Sequence, residues 1–228
     1  MLWLGLDGAL GPFSAALVSS TESDPVRTAT AGGADALERG LGIVDDVLGG
    51  RALAEVGAIA VGTGPGGFTG LRIALSYAKS LALGAGLPLV GVSSYDALEP
   101  PDAAGTYATF VHGRAGVACV RLRGAGPELV ACGSYEDLAH SIAARLERPR
   151  ELVCYGRPEG TAPALGERGF TVRAIPLQTV PALAVARRAF GRPASSPHAV
   201  VADYGEAPYY ASRGPAGNTP DPRNRQPT

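Results

Sequence analysis

Asp7 closes a short apolar run, LWLGLD, and Gly8 follows it at once. A carboxylate at the end of a strand, with hydroxyls in the next turn, can hold a metal-bound nucleotide by its phosphates. Here the turn is DGALGPFS, with no Ser or Thr in the first five positions after Asp7. An aspartate in the turn after an edge strand is therefore the favoured reading, and Asp7 is the one candidate for contact with a nucleotide. A second chemistry is written in GTGPGGFTGLRIALSYAKSLALGAG, residues 62–86, where five glycines and a proline fall within nine residues. A glycine-rich turn feeding a helix can cradle a phosphate on its backbone amides. No Gly-Lys-Ser/Thr closes the loop, and no acid follows about 20 residues on, so neither the Walker nor the dinucleotide fingerprint is present. A tight structural turn explains the same residues equally well.

In that structural reading each residue of the loop has a task. Pro65 fixes the exit from the strand, and Gly64, Gly66 and Gly67 turn the chain where a Cβ would clash. Phe68 anchors the turn in the core, and Thr69 caps the helix. Arg72, one turn in, reaches back to a carbonyl or carboxylate near the loop, or across to a partner.

Other chemistries find little support. The three histidines, His112, His140 and His198, are far apart and make no HxxxH or HExxH spacing. No Gly-x-Ser-x-Gly elbow exists. Cys119, Cys132 and Cys154 form no CxxC pair and read as buried or incidental thiols of a reducing compartment. The arginine groups 145/148/150 and 187/188/192 read as solvated helix ends.

The elements that position these residues follow from periodicity. LWLGLDG, PFSAALVSS and VRTATAG read as three strands of an antiparallel meander. Residues 35–48 read as a helix with two apolar stripes about 100° apart; Ala36, Gly40, Ile43 and Val47 form the second. VGAIAVG, 56–62, is a buried strand running into the glycine loop. The helix 69–83 shows Leu71, Leu75, Ala78 and Ala82 on one face and Ile73, Tyr77 and Ser80 on another. A strand and a short helix at 94–98 follow. EPPDAAG, 99–105, breaks the pattern, and strands restart at TYATFVHG. Each half thus begins with antiparallel strands and continues as α/β. The divisions are 1–103, 104–212, whose last helix is expected to pack back on the first division, and a polar tail, 213–228, expected to be disordered.

Bulk composition agrees. The 228 residues are 46% hydrophobic and carry a net charge of -1, so no overall basic field attracts nucleic acid. No run is long enough to span a membrane, and the N-terminus has no basic region typical of a signal peptide. The expectation is a soluble, cytoplasmic protein.

The stretch AVGTGPGGFTGLRIALSYAKSLALGAGLPLVGVSSYDAL closely resembles the signature of the TsaB (YeaZ) family. LGLDGALGPFSAALV resembles that family's opening strand, Asp and hairpin, VHGRAGVACVRL a later pair of strands, and EAPYYASR its terminal segment. The resemblance implies an actin-like (ASKHA, RNase H-like) two-domain α/β fold. It implies a part in making threonylcarbamoyladenosine at position 37 of tRNAs that read codons beginning with A. In that pathway a TsaD-type paralogue transfers the threonylcarbamoyl group, and a TsaE-type ATPase joins the pair.

The turn Gly8-Ala9-Leu10 departs from the family's Thr-rich turn, and AGGADALERGL lacks a histidine that many relatives carry. Both changes remove polar groups where an active relative would hold nucleotide or metal. The resemblance therefore implies a subunit with no catalytic residue and no cofactor of its own. ATP or ADP and metal would belong to the partner or the shared interface, and tRNA would be reached through the complex. The partner surface is expected at Ala36, Gly40, Ile43, Val47, Ile73, Tyr77 and Ser80, because two helices apolar over half their circumference need cover. A homodimer through the same surface is expected when the partner is absent. Two alternatives are an ATP-binding or hydrolysing enzyme of the actin-like fold and a glycoprotease-like metallopeptidase.

Overall fold

The computed structural model describes residues 1–21, 26–32, 39–148 and 151–205. Ala36 with the expected start of the first helix, the segment EAPYYASR, and the polar tail lie outside the described residues. Two five-stranded sheets carry the architecture. The first is built from β1 (Leu2–Asp7), β2 (Phe13–Ser19), β3 (Arg27–Ala31), β4 (Val56–Gly62) and β5 (Leu89–Val92), in the order β3-β2-β1-β4-β5. The second is built from β6 (Tyr107–His112), β7 (Val117–Arg123), β8 (Leu129–Ser134), β9 (Glu151–Gly156) and β10 (Thr171–Ile175), in the order β10-β9-β6-β7-β8. In each, three antiparallel strands form a meander and two parallel strands complete the other edge. The second sheet repeats the topology of the first, which is the duplicated plan of an actin-like α/β fold.

Helices close the sheets. In the first half these are α1 (Gly40–Leu48), α2 (Phe68–Ala85) and α3 (Ser94–Leu98). The second half adds α4 (Tyr135–Leu146), α5 (Ala162–Glu167) and α6 (Pro181–Ala189). Along β1 the pleat alternates. Leu4 and Leu6 join Phe13, Ile43, Val47 and Leu71 in a core under α1 and α2. Trp3 lies on the opposite face with Ala16, Ala58 and Val90, packed against Ala182, Val185 and Ala186 of α6. Gly5 makes that second contact close. A Cβ there would fall 2.2 Å from the Ala182 carbonyl oxygen, so only glycine admits α6 at this depth. The last described helix therefore belongs, by packing, to the first sheet.

α1 corrects the expectation that its second stripe faces a partner. Ile43 and Val47 are each 1% exposed and lie in the chain's own core. Gly40 is buried as well, because a Cβ there would meet the Tyr77 ring at 2.3 Å. The small residue does permit close approach, but of α1 to α2 within one chain. Burying side chains the size of Ile43 and Val47 contributes about 1.5–3 kcal/mol each. Ile73 and Tyr77 are half-buried against the same core, and Tyr77 meets Phe13 edge-on. Only Ser80 of the expected partner residues is fully on the surface.

α4 and α5 cover one face of the second sheet, where Phe110, Val120 and Leu122 meet Leu138, Ile142 and Leu165. Its other face carries Tyr107, Thr109, Val111, Cys119 and Arg121, turned toward α3 and the 99–106 connection. Ser93 and Ser134 cap α3 and α4 by accepting from the amides of Asp96 and Asp137.

Candidate functional site: the glycine loop, its strap and the cleft

The loop after β4 is held from three sides by main-chain hydrogen bonds. Thr63 N donates to Val92 O (2.8 Å), Gly67 N to Ala9 O (2.8 Å), and Ser94 N to Gly64 O (2.7 Å). From the far side Asp203 N donates to Thr63 O (2.7 Å), so residues 199–205 run across the loop as a strap. The amides of Thr63 and Gly67 are therefore used by the chain's own carbonyls. Two glycines are obligatory. Gly64 has φ 91° and Gly66 φ 150°; a Cβ would fall 2.2 Å from Asp203 O and from Ala9 O respectively. Gly8 and Gly70 also meet backbone to backbone, each Cβ position lying within 2.2 Å of the other's carbonyl oxygen.

Four loop assignments need correction. Gly67 has φ -60° and an ordinary 3.7 Å clearance, so it is not required for the turn. Phe68 does not anchor the core: it is 56% exposed and stacks on Tyr204 with centroids 5.1 Å apart. Thr69 is not the N-cap. Gly67 holds that position without a side-chain hydrogen bond, and Thr69 is the second, exposed residue of α2. Arg72 lies with its guanidinium over the Phe68 ring, 5.2 Å from the centroid, rather than reaching a carbonyl or carboxylate. Pro65 sits in a cis peptide bond with Gly64.

Asp7 is fully buried at the end of β1. Its Oδ1 accepts from Leu10 N (3.0 Å), while Oδ2 has no partner and faces Gly62, where a Cβ would fall 2.0 Å from it. Burial raises its pKa to about 6, with the Leu10 and Ala9 amides opposing the rise. The side chain does not line the neighbouring cleft. That cleft, of 470 Å³, lies between the β1–β2 turn and the second sheet, and is lined by Leu10, Pro12, Phe110, His112, Arg157 and Thr179 among others. His112 Nε2 and Arg157 Nε each stand 3.9 Å from the Glu159 carboxylate. Among the described residues no three His, Cys, Asp or Glu side chains gather closely enough to hold a metal ion.

Two features escaped the sequence reading. Cys119 and Cys132 are cross-strand partners on β7 and β8 and form a disulfide, while Cys154 is a free buried thiol. The reading as three unpaired thiols is corrected: strand register, which spacing alone does not show, brings the two together. The second is a buried ionic cluster in the segment read as a domain boundary. Glu99 accepts from Thr109 Oγ1 (2.6 Å), Arg121 Nε (3.0 Å) and Nη2 (2.7 Å), and Arg123 Nη1 (3.2 Å). Arg121 also donates to Asp96 (2.7 Å), which accepts from Arg192 (3.0 Å). Burial pushes the Asp96 carboxyl up, but the hydrogen bonds and charges of Arg121 and Arg192 more than offset this and leave it lowered. The signal available was Arg121 itself, a charge on the inward phase of the run VACVRLR.

The fold and these contacts define an actin-like protein with two repeated α/β halves. Residues 43–147 match a family model described as TsaD, tRNA N6-adenosine threonylcarbamoyltransferase. A stretch of 59 residues is 49% identical to the tRNA threonylcarbamoyladenosine biosynthesis protein TsaB of Escherichia coli, and 63 residues are 41% identical to TsaB of Haemophilus influenzae. These matches cover about a quarter of the curated relatives' length, 26% and 27%. YeaZ from Pseudomonas aeruginosa aligns in structure with a TM-score of 0.65 and 25% identity, over 89% of this chain and 99% of that one. A second Pseudomonas aeruginosa structure, described as similar to peptidase YeaZ, aligns over 90% of this chain at 24% identity and shows the same fold. In local sequence identity and in near full-length likeness of fold, the chain is similar to the TsaB/YeaZ proteins.

Proposed function

We propose that the chain is a non-catalytic subunit in the formation of threonylcarbamoyladenosine in tRNA, and that it acts by pairing with a TsaD-type paralogue. The observation that carries the reading is the 59-residue match to TsaB, which falls within a chain that has the fold of YeaZ. The site supports it. Asp7 is sealed behind the β1–β2 turn, the turn offers Ala9 and Leu10 in place of hydroxyls, and the Thr63 and Gly67 amides of the glycine loop donate within the chain. Nucleotide and metal chemistry is accordingly assigned to the partner or the shared interface, and a TsaE-type ATPase to the same assembly. The setting is cytoplasmic. No described helix is long and apolar enough to cross a membrane.

The partner surface is reassigned to the outward side of α2, where Ser76, Ser80 and the 54% exposed Leu83 lie beside the half-buried Ile73. The same side would serve a homodimer. Pull-down with the paralogue, followed by tRNA-modification assays omitting each component in turn, tests the whole reading. Modification must require both chains. Full activity of the paralogue without this chain overturns it. Leu83→Arg is expected to abolish association at an unchanged melting temperature.

A further inference from the structure

Beside that outward side of α2, and sharing Ser76 with it, a groove of 350 Å³ separates the helix from the strap 199–205; it is lined by Arg72, Leu75, Ser76, Lys79, Ala202 and Tyr204 among others. We propose that this groove binds unpaired RNA. Tyr204 lines one end of it, and Phe68 lies just beyond; the two rings, 42% and 56% exposed, form a tilted pair with an interplanar angle of 36°. Exposed rings of this kind are platforms for bases, which all have a π-face. Arg72 already lies over the Phe68 ring, which leaves its guanidinium edge free for a phosphate. Lys79, the only lysine of the chain, stands two helical turns further along the same groove, about 10 Å from Arg72 along the axis.

Charge favours the same occupant. Neither Arg72 nor Lys79 has a carboxylate partner among the described residues. Asp203, the one acid of the strap, is held by the amide of Gly205. A protein partner fits less well, because lysine is depleted from the centres of protein interfaces and here it lines the groove. The remaining exposed apolar group, Val201, is small. Aromatic faces with cations beside them describe a surface for a single strand rather than for a duplex, whose bases are stacked away.

This inference rests on the reading above for the source of its RNA, an unpaired loop of a tRNA. It is tested with the full chain, alone and bound to the paralogue. The probes are a labelled RNA hairpin with an unpaired loop and the same sequence annealed to its complement, titrated over a salt series. The hairpin is expected to bind and the duplex to bind far more weakly. Arg72→Ala and Lys79→Ala should each flatten the slope of log affinity against log salt by about 0.7. Phe68→Ala and Tyr204→Ala should each weaken binding about tenfold, with Tyr204→Phe retaining it. Arg145→Ala, at an exposed basic position on α4, should change nothing. Absence of hairpin binding at low salt, equal binding of the duplex, or wild-type affinity in the ring variants each overturns the proposal. So does loss of the paralogue with RNA binding intact, which would make this a protein contact. Failure of the wild type to bind the paralogue counts against the proposed function instead, so the two failures remain distinguishable.

Discussion

The two halves share a strand order and bury their centres in opposite ways. The first sheet has helices on both faces, and its single buried carboxylate, Asp7, is met by amides alone. The second sheet has the longer helices α4 and α5 on one face and only the five-residue α3 on the other. Its other face closes on α3 with Glu99, Asp96, Arg121 and Arg192 in one ionic cluster. The difference shows what a lent helix does. α6 leaves the second half to cover the first, and the face left behind is filled by charges that satisfy one another.

The largest way to break this comparison is Glu99→Ala. It strands Arg121 in a buried site and should cost about 3–5 kcal/mol by urea denaturation. The double change Glu99→Leu, Arg121→Met replaces charge by apolar volume and should recover most of that loss. If the double variant is no better than the single, the cluster does more than fill space.

Asp7 sharpens the contrast through pH. Its folded pKa, about 6, lies above the ordinary aspartate value of 3.8, so the folded state holds the proton more tightly than the unfolded chain. Its contribution is fully present below pH 4 and is lost as pH rises to about 6, by up to about 3 kcal/mol. Thermal melts should therefore show Asp7→Asn gaining on the wild type between pH 4 and pH 7. Equal pH profiles would mean that Asp7 reaches solvent.

Smaller effects separate residues that look alike in sequence. Gly66→Ala places a Cβ against Ala9 O and should cost about 2 kcal/mol, while Gly67→Ala should stay within about 0.5 kcal/mol. Equal losses would return Gly67 to the role expected of it. Last, Ser93→Ala and Ser134→Ala remove one cap from each half and should each cost about 1 kcal/mol. Calorimetry that finds only one of them felt would show that one half melts ahead of the other.

Much of this was legible in the sequence because local pattern decides it. The strands of the first sheet, the glycine loop and α2 are contiguous runs whose alternation or 3.6-residue period is unambiguous, and the TsaB resemblance lies on them. What was not legible depends on distant pairing. Periodicity shows that Ile43 and Val47 form an apolar stripe but not that Tyr77 and the sheet of the same chain cover it. Phe68 looked like an anchor because aromatic residues usually are; its exposure follows from where the strap passes. Glu99 sat in a Pro-rich break that resembled a linker, and its partners Tyr107, Thr109, Arg121 and Arg123 lie 8 to 24 residues away. Cys119 and Cys132 meet only through the register of β7 and β8.

The position of α6 also has a consequence for synthesis. When β5 leaves the ribosome at Val92, the face of the first sheet that carries Trp3, Val18, Ala58 and Val90 has no cover. Its cover ends at Ala189, almost a hundred residues later, a delay on the order of ten seconds at ordinary elongation rates. Throughout that interval the first half is an apolar sheet open to solvent on one side. The earliest residues made thus wait on nearly the last helix described, and a chain cut at 103 should emerge as a species that chaperones hold rather than as a domain.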